Sequence, residues 1–451
     1  MKNLLLCFLA IFLFSACQKD LNENDNSNLQ LDVDLEIALN DAANGNGMGH
    51  FVLPDSDDFS KIPQDANNPI TADKVKLGQL LYHETGLAVN PMKELSEGTF
   101  SCASCHFAQA GFQAGRFQGI ADGGIGFGVN GEGRVKGALY QGVDVDVQAI
   151  RTPSAMNIAY QPIVLWNGQF GATDLNVGTE SQWTEDTPKE TNHLGFEGTE
   201  TQAIAGLEVH RLDMDGGIVN NYTVYKNLFD DVFSDFPESE RYSKVTAGLA
   251  IAAYERTLLA NEAPFQKYLK GDKTAMTDIE KRGALVFFEK ANCANCHNGP
   301  ALNEMDFHAY GMKDLFTCPE ETFKSNATSV ENKGRGGFTG IAEDMFKFKV
   351  PQLYNLTDSP FFGHGSSMRT VREVVEYKNN AVAENPNVTD GQLSEDFVPQ
   401  NLSDDDIDAL VAFMENSLRD PNLMRYVPES LPSGNCFPFN DPLARNELGC
   451  D

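Results

Sequence analysis

Cysteine and histidine recur in this chain at a spacing that selects one chemistry. Cys102-Ala103-Ser104-Cys105-His106 and Cys293-Ala294-Asn295-Cys296-His297 are each C-x-x-C-H. At that spacing two thiols can each form a thioether bond to one haem, and the next imidazole ligates its iron. Each copy lies in a turn of small residues after a helix-like stretch, so two covalently bound haems are expected. His106 and His297 would be the iron ligands. The competing reading is a pair of hairpins closed by disulfides or zinc. Zinc would need a second ligand pair near each hairpin, and the sequence shows none.

The elements that must hold these turns are helical. Thr71 to Tyr82 leads to the first motif and Thr277 to Phe288 to the second. In both, a threonine stands before an acidic residue, as helix N-caps do. Apolar residues then recur at helical spacing. This is a weak internal repeat, one cytochrome-like unit used twice. Ser243 to Leu259 reads as a buried helix, and Ser403 caps a last helix from Ile407 to Ser417. Glycine-rich loops run over 111–137 and 334–340. Strand alternation is scarce, so a mostly α fold is expected: two cytochrome c-like haem domains packed against each other, with long irregular loops. The domains divide at 65–262 and 263–420, with a carboxy-terminal extension over 421–451.

The chain has 451 residues, 41% of them hydrophobic, and a net charge of −31. That balance argues against nucleic acid, which calls for a basic stripe. It suits a basic partner such as a positively charged small cytochrome, or simply a solvated acidic surface. Residues 1–16 are a basic start and an apolar run too short to span a membrane. With Cys17 they resemble a lipoprotein signal cleaved before a lipid-bearing cysteine. The mature chain would be exported and lipid-anchored in the cell envelope, at the periplasm or outer membrane. Residues 17–64 read as a polar tether and lead-in, most flexible over Gln18 to Gln30. Of the nine cysteines, Cys318, Cys436 and Cys450 have no place in the haem motifs or leader. Two of them could pair, and Cys436 and Cys450 are the nearest.

From about Asp65 to Leu418 the chain resembles the bacterial di-haem cytochrome c peroxidase and MauG family. The resemblance rests on Leu77-Gly78-Gln79-Leu80-Leu81-Tyr82 before the first motif, Arg151-Thr152-Pro153-Ser154-Ala155-Met156-Asn157, and Trp166-Asn167-Gly168. It rests also on Tyr254-Glu255-Arg256-Thr257-Leu258, Phe348-Lys349-Val350-Pro351, and Pro360-Phe361-Phe362-Gly363-His364-Gly365. It implies that the first haem meets hydrogen peroxide and the second stores and passes electrons. A distal amide and acid come from a Q-A…E-M segment, matched here by Gln202 to Met214. Gln202 fits the amide. A one-residue insertion would make Asp213 the acid, with Glu208 and His210 as rivals. No histidine occurs from Phe107 to Asn192, so the peroxide site would be open at rest unless His193 or His210 swings in from farther along the chain. The distal ligand of the second haem would be Tyr377 by direct count, Lys378 by helix pattern, or Met368 just before that helix. Trp166 would lie between the haems. The family's calcium ion is doubtful here, because Arg151 stands where an asparagine is expected and would itself supply positive charge, as to a haem propionate.

These features describe an exported peroxidase that reduces hydrogen peroxide with electrons from a small c-type cytochrome or similar carrier. The alternatives are a MauG-like oxidase of a protein or organic substrate, and a non-catalytic electron carrier. The Gln202 segment argues against the last. An oligomer is compatible with all three.

Overall fold

The computed structural model describes residues 20–214 and 217–450, with side chains from Leu29 onward. The leader and its cysteines, Cys7 and Cys17, lie outside them.

The helices form for reasons visible locally. α1 spans Asp20–Ala42, α2 Ala72–His83 and α3 Gly198–Val209. α4 (Lys244–Arg256) starts at Ser243 and α5 (Asp278–Leu285) at Thr277, each through a capping box. α6 (Val371–Asn380) and α7 (Asp404–Ala412) are capped the same way by Thr370 and Ser403. α8 spans Pro442–Leu448. The described strands are two short antiparallel pairs. Gly124–Ile125 pairs with Val135–Lys136, and Phe307–His308 with Phe348–Lys349.

The repeat seen in the sequence is a repeat in packing. α2 crosses α4, and α5 crosses α7, each at a glycine. A Cβ on Gly78 would lie 1.9 Å from the carbonyl oxygen of Ala250, and one on Gly283 1.9 Å from that of Ala409. Both helix pairs therefore touch backbone to backbone. The helix leading to each motif is held against its partner, with Leu77, Leu81, Ala250 and Tyr254 buried at the first crossing and Ala284, Leu410 and Phe413 at the second. α5 and α7 each run on into a π-helical turn, over Val286–Lys290 and Phe413–Ser417.

The two ends of the chain depart from the expected division. The tether read over Gln18 to Gln30 is helical from Asp20, and α1 packs on the second unit. Leu35, Ala38 and Leu39 are buried, and Asp32 meets Lys281 at 2.7 Å. Polar composition hid this, because only one stripe of the helix is apolar. Conversely, the supposed extension covers the first unit. Ser104 Oγ donates to the Pro438 carbonyl at 2.7 Å, and buried Arg134 meets Asp441 at 2.8 Å. Cys436 and Cys450 form a disulfide that closes this tail. No helix among the described residues is long and apolar enough to cross a membrane.

Candidate functional site

In both motifs the histidine is prepared as a metal ligand. His106 Nδ1 lies 3.2 Å from the Phe112 carbonyl, and His297 Nδ1 3.1 Å from the Leu302 carbonyl. A carbonyl only accepts, so each Nδ1 carries the proton and each Nε2 is bare, the usual arrangement of a ligating imidazole. Burial then pushes His106 down to about 4 and His297 to about 3, which keeps both neutral. The four motif thiols are unpaired.

Other observations fit a haem at the first motif. Cavities lined by Arg116, Arg134, Gly119 and Phe439 adjoin it, the larger of about 560 Å³. A Cβ at Gly119 would stand 2.9 Å from Cys105 Sγ, so the loop needs glycine to pass the thiol. Arg116 Nη1 is buried without a partner, and a haem propionate would satisfy it. Sequence reading missed Arg116, although an arginine in a glycine-rich loop beside the motif was the signal available. Tyr82 also donates to the His106 carbonyl at 2.7 Å and so fixes the turn.

The distal candidates separate clearly. Gln202, Gly206 and His210 share one face around α3: a Cβ on Gly206 would be 3.3 Å from Gln202 Nε2 and 4.0 Å from His210 Cδ2. His210 Nδ1 donates to Asp146 Oδ2 at 2.9 Å. Burial lowers the His210 pKa, but the charge and hydrogen bond of Asp146 outweigh it and raise the pKa overall. The His210 charge is felt at His106. Glu208 points elsewhere; its carboxylate is exposed and paired with Lys244 at 2.6 Å. Asp213 accepts from Asn90 Nδ2 at 3.2 Å at an exposed position, and its backbone N–H bonds Leu87. Thus the structure gathers Gln202 and His210 and leaves Glu208 and Asp213 off their face. Asp146 was not foreseen, because it lies 64 residues from its partner. His193 is held by the Trp183 carbonyl at 2.8 Å.

Around the second motif, Tyr377 donates to the Tyr310 carbonyl at 2.5 Å, and Met368 is buried beside it with Phe397. Lys378 Nζ stands 3.8 Å over the Tyr310 ring. Cys296, His308 and Asp396 place ligand atoms within 4.8 Å of one another. Such a trio would suit a metal ion, but it takes the same thiol a haem would, and the first motif has no counterpart among the described residues.

Residues 72–274 match the profile of the di-haem cytochrome c peroxidase family. The MauG methylamine utilization protein of Methylophilus methylotrophus is 28% identical over 375 residues, 81% of this chain and 87% of its own. The cytochrome-c peroxidase IdrP1 of Denitromonas iodatirespirans is 26% identical over 372 residues, 78% and 84% of the two chains. Over residues 72–274 the chain is similar to the di-haem cytochrome c peroxidase and MauG family, and its relatives carry both names. It is therefore a peroxidase-type oxidoreductase, and the family implies haem c as its cofactor. Two solved structures share the fold. A MauG-like protein associated with microbial copper homeostasis is 22% identical with a TM-score of 0.54, over 86% of this chain and 98% of that one. The diheme peroxidase BthA from Burkholderia thailandensis E264 is 17% identical with a TM-score of 0.52, over 81% and 90%.

Between the two units, Trp166 Nε1 donates to the Arg151 carbonyl at 2.8 Å, and its ring meets His364 edge-on at 6.5 Å. His364 stacks on Phe348 at 3.7 Å and bonds Asp314 at 3.0 Å. Arg151 is buried. Its guanidinium donates to Gln113 Oε1 at 2.7 Å, Ser359 Oγ at 2.8 Å and the Arg116 carbonyl at 3.3 Å. These neutral acceptors surround a cation, so a calcium ion does not fit beside it. Arg151 thus ties the units together, and Arg116 is the cation left free for a propionate.

Proposed function

We propose that this chain is an exported di-haem peroxidase. It reduces hydrogen peroxide to water with electrons from a small redox protein received at the second haem. The observation that carries the proposal is the pairing of Gln202 and His210 on one face of α3, with Asp146 behind His210. When bound, the first haem would supply an iron at which peroxide is polarised and the O–O bond weakened. The rest falls to the chain. Asp146 accepts a hydrogen bond from the Nδ1–H of His210 and so leaves Nε2 as the free base. Nε2 takes a proton from the near oxygen of peroxide and delivers it to the far oxygen, which leaves as water. Gln202 orients the substrate through its amide. Cys102, Cys105 and His106 would hold the first haem, and Cys293, Cys296 and His297 the second.

Trp166 and His364 lie where the units meet and would shorten the electron path between them. The reaction consumes two electrons and two protons per peroxide. The net charge of −31 suits a basic electron donor. Export and lipid attachment at Cys17 are supported by the leader and by the chemistry of haem attachment, which takes place outside the cytoplasm.

The test is peroxide consumption by protein matured with haem, using a reduced small cytochrome as donor. Two haems per chain are expected, one high-spin and one low-spin, and His210→Gln should cut turnover by roughly 10²–10⁴-fold. Two irons that are six-coordinate and inert to peroxide at every redox poise would overturn the reading.

A further inference from the structure

We propose that Lys378 supplies the second axial ligand to the iron held by His297, through Nζ. This rests on the haem reading of the second motif and deepens it.

The argument starts from the face of α6. Val371, Val375 and Lys378 fall at i, i+4 and i+7, a single helical stripe. Val371 and Val375 belong to the main core, which also contains Ala294 and against which the half-buried Cys293 packs. Val374 and Tyr377 fall on a different stripe and join a separate cluster with Met368 and Phe397. Adjacent helical residues point about 100° apart, so Tyr377 and Lys378 approach Tyr310 differently, the first through its carbonyl and the second over its ring. The Tyr377 hydroxyl is already donated to the Tyr310 carbonyl. Met368 is buried in the Tyr377 cluster, and its backbone pairs with Phe362.

Lys378 remains. Its charge is felt at Cys293, Cys296 and His297, all three functional side chains of the motif. Nζ makes no hydrogen bond and no ion pair among the described residues; it rests over the Tyr310 ring at 3.8 Å. The Tyr310 hydroxyl in turn donates to Asp396, which lies 3.4 Å from His308 Nδ1. An ammonium held in half-buried surroundings with no carboxylate in hydrogen-bond reach, and only the charge of Asp396 nearby, is costly unless something satisfies it. Coordination would do so. Nζ loses one proton to solvent as its lone pair forms the bond to iron, and no electron is transferred.

The experiment uses the full chain matured with haem. Haem content is measured first, since two haems per chain confirm the reading beneath this one and none would overturn both. Low-temperature paramagnetic resonance and near-infrared magnetic circular dichroism of the oxidised wild type should then show one low-spin iron with imidazole and amine ligands. A thioether or phenolate signature would overturn the proposal, and this measurement needs no variant to fold. Lys378→Ala should convert that iron to high-spin or water-ligated form while two haems remain bound. Lys378→Met should restore a low-spin iron with thioether character, and Tyr377→Phe should leave the spectrum unchanged. If Lys378→Ala keeps the wild-type low-spin spectrum and only shifts the potential, Lys378 is a neighbouring charge and not a ligand.

Discussion

The two glycine crossings can be tested directly. In Gly78→Ala the new methyl would lie 1.9 Å from the Ala250 carbonyl oxygen, 2.5 Å from its carbon and 3.0 Å from Tyr254 Cβ. An ordinary C···O contact is about 3.3 Å, so α2 and α4 must part by about 1.4 Å. Neither obstacle is the free end of a flexible side chain. A gap of 0.5–1 Å already forfeits roughly a quarter to a half of each dispersion well along the contact. Overpacking of this kind costs about 1–3 kcal/mol, and a backbone obstacle puts Gly78→Ala at the upper end. At about 2 °C per kcal/mol, the melting temperature should fall by roughly 6 °C. Gly283→Ala should cost a similar amount, because its methyl would lie 1.9 Å from the Ala409 oxygen and 2.8 Å from Phe413 Cβ. Gly206→Ala serves as the control. Its methyl would meet the movable end of Gln202 at 3.3 Å and the His210 ring edge at an ordinary 4.0 Å, and the helix gains roughly 0.5–1 kcal/mol from losing a glycine. The assay is differential scanning calorimetry of the three matured variants. If Gly78→Ala and Gly283→Ala melt within 1 °C of wild type, the close-crossing argument is wrong.

Three further outcomes are expected. Asp146→Asn removes the charge that raises His210 and leaves burial, which lowers it, so the acid limb of peroxide turnover should move to lower pH. In the native chain the stability of this pair is full below about pH 6.5 and is lost as pH rises through the raised folded value. An unmoved profile would detach Asp146 from His210. Asp441→Asn leaves Arg134 buried without its anion and should cost about 3–5 kcal/mol in denaturant unfolding. A loss below about 1 kcal/mol would show that the carbonyls of Ile120, Ala121 and Gly126 suffice. Cys436→Ser opens a loop with a sequence separation of 14 and should cost about 3 kcal/mol. Proteolysis near the first motif should then begin in the tail, and equal protection with and without the disulfide would contradict this.

Much of this protein is legible without coordinates. The two C-x-x-C-H motifs, their histidines, the capped helices before them and the internal repeat are all local patterns, because a haem turn and a helix start are each specified within a few residues. The mostly helical class follows from the same periodicity. What escaped is uniformly long-range. That His210 and not Asp213 shares a face with Gln202 depends on where α3 ends and on Asp146, far away in the chain. That Val371 and Val375 meet the main core while Val374 and Tyr377 join a separate cluster depends on which stripe of α6 turns inward. The tail that covers the first motif and the amino-terminal helix that covers the second exchange places relative to chain order. Local sequence specifies turns and helix faces; which distant groups those faces meet is decided only when the whole chain buries its apolar surface.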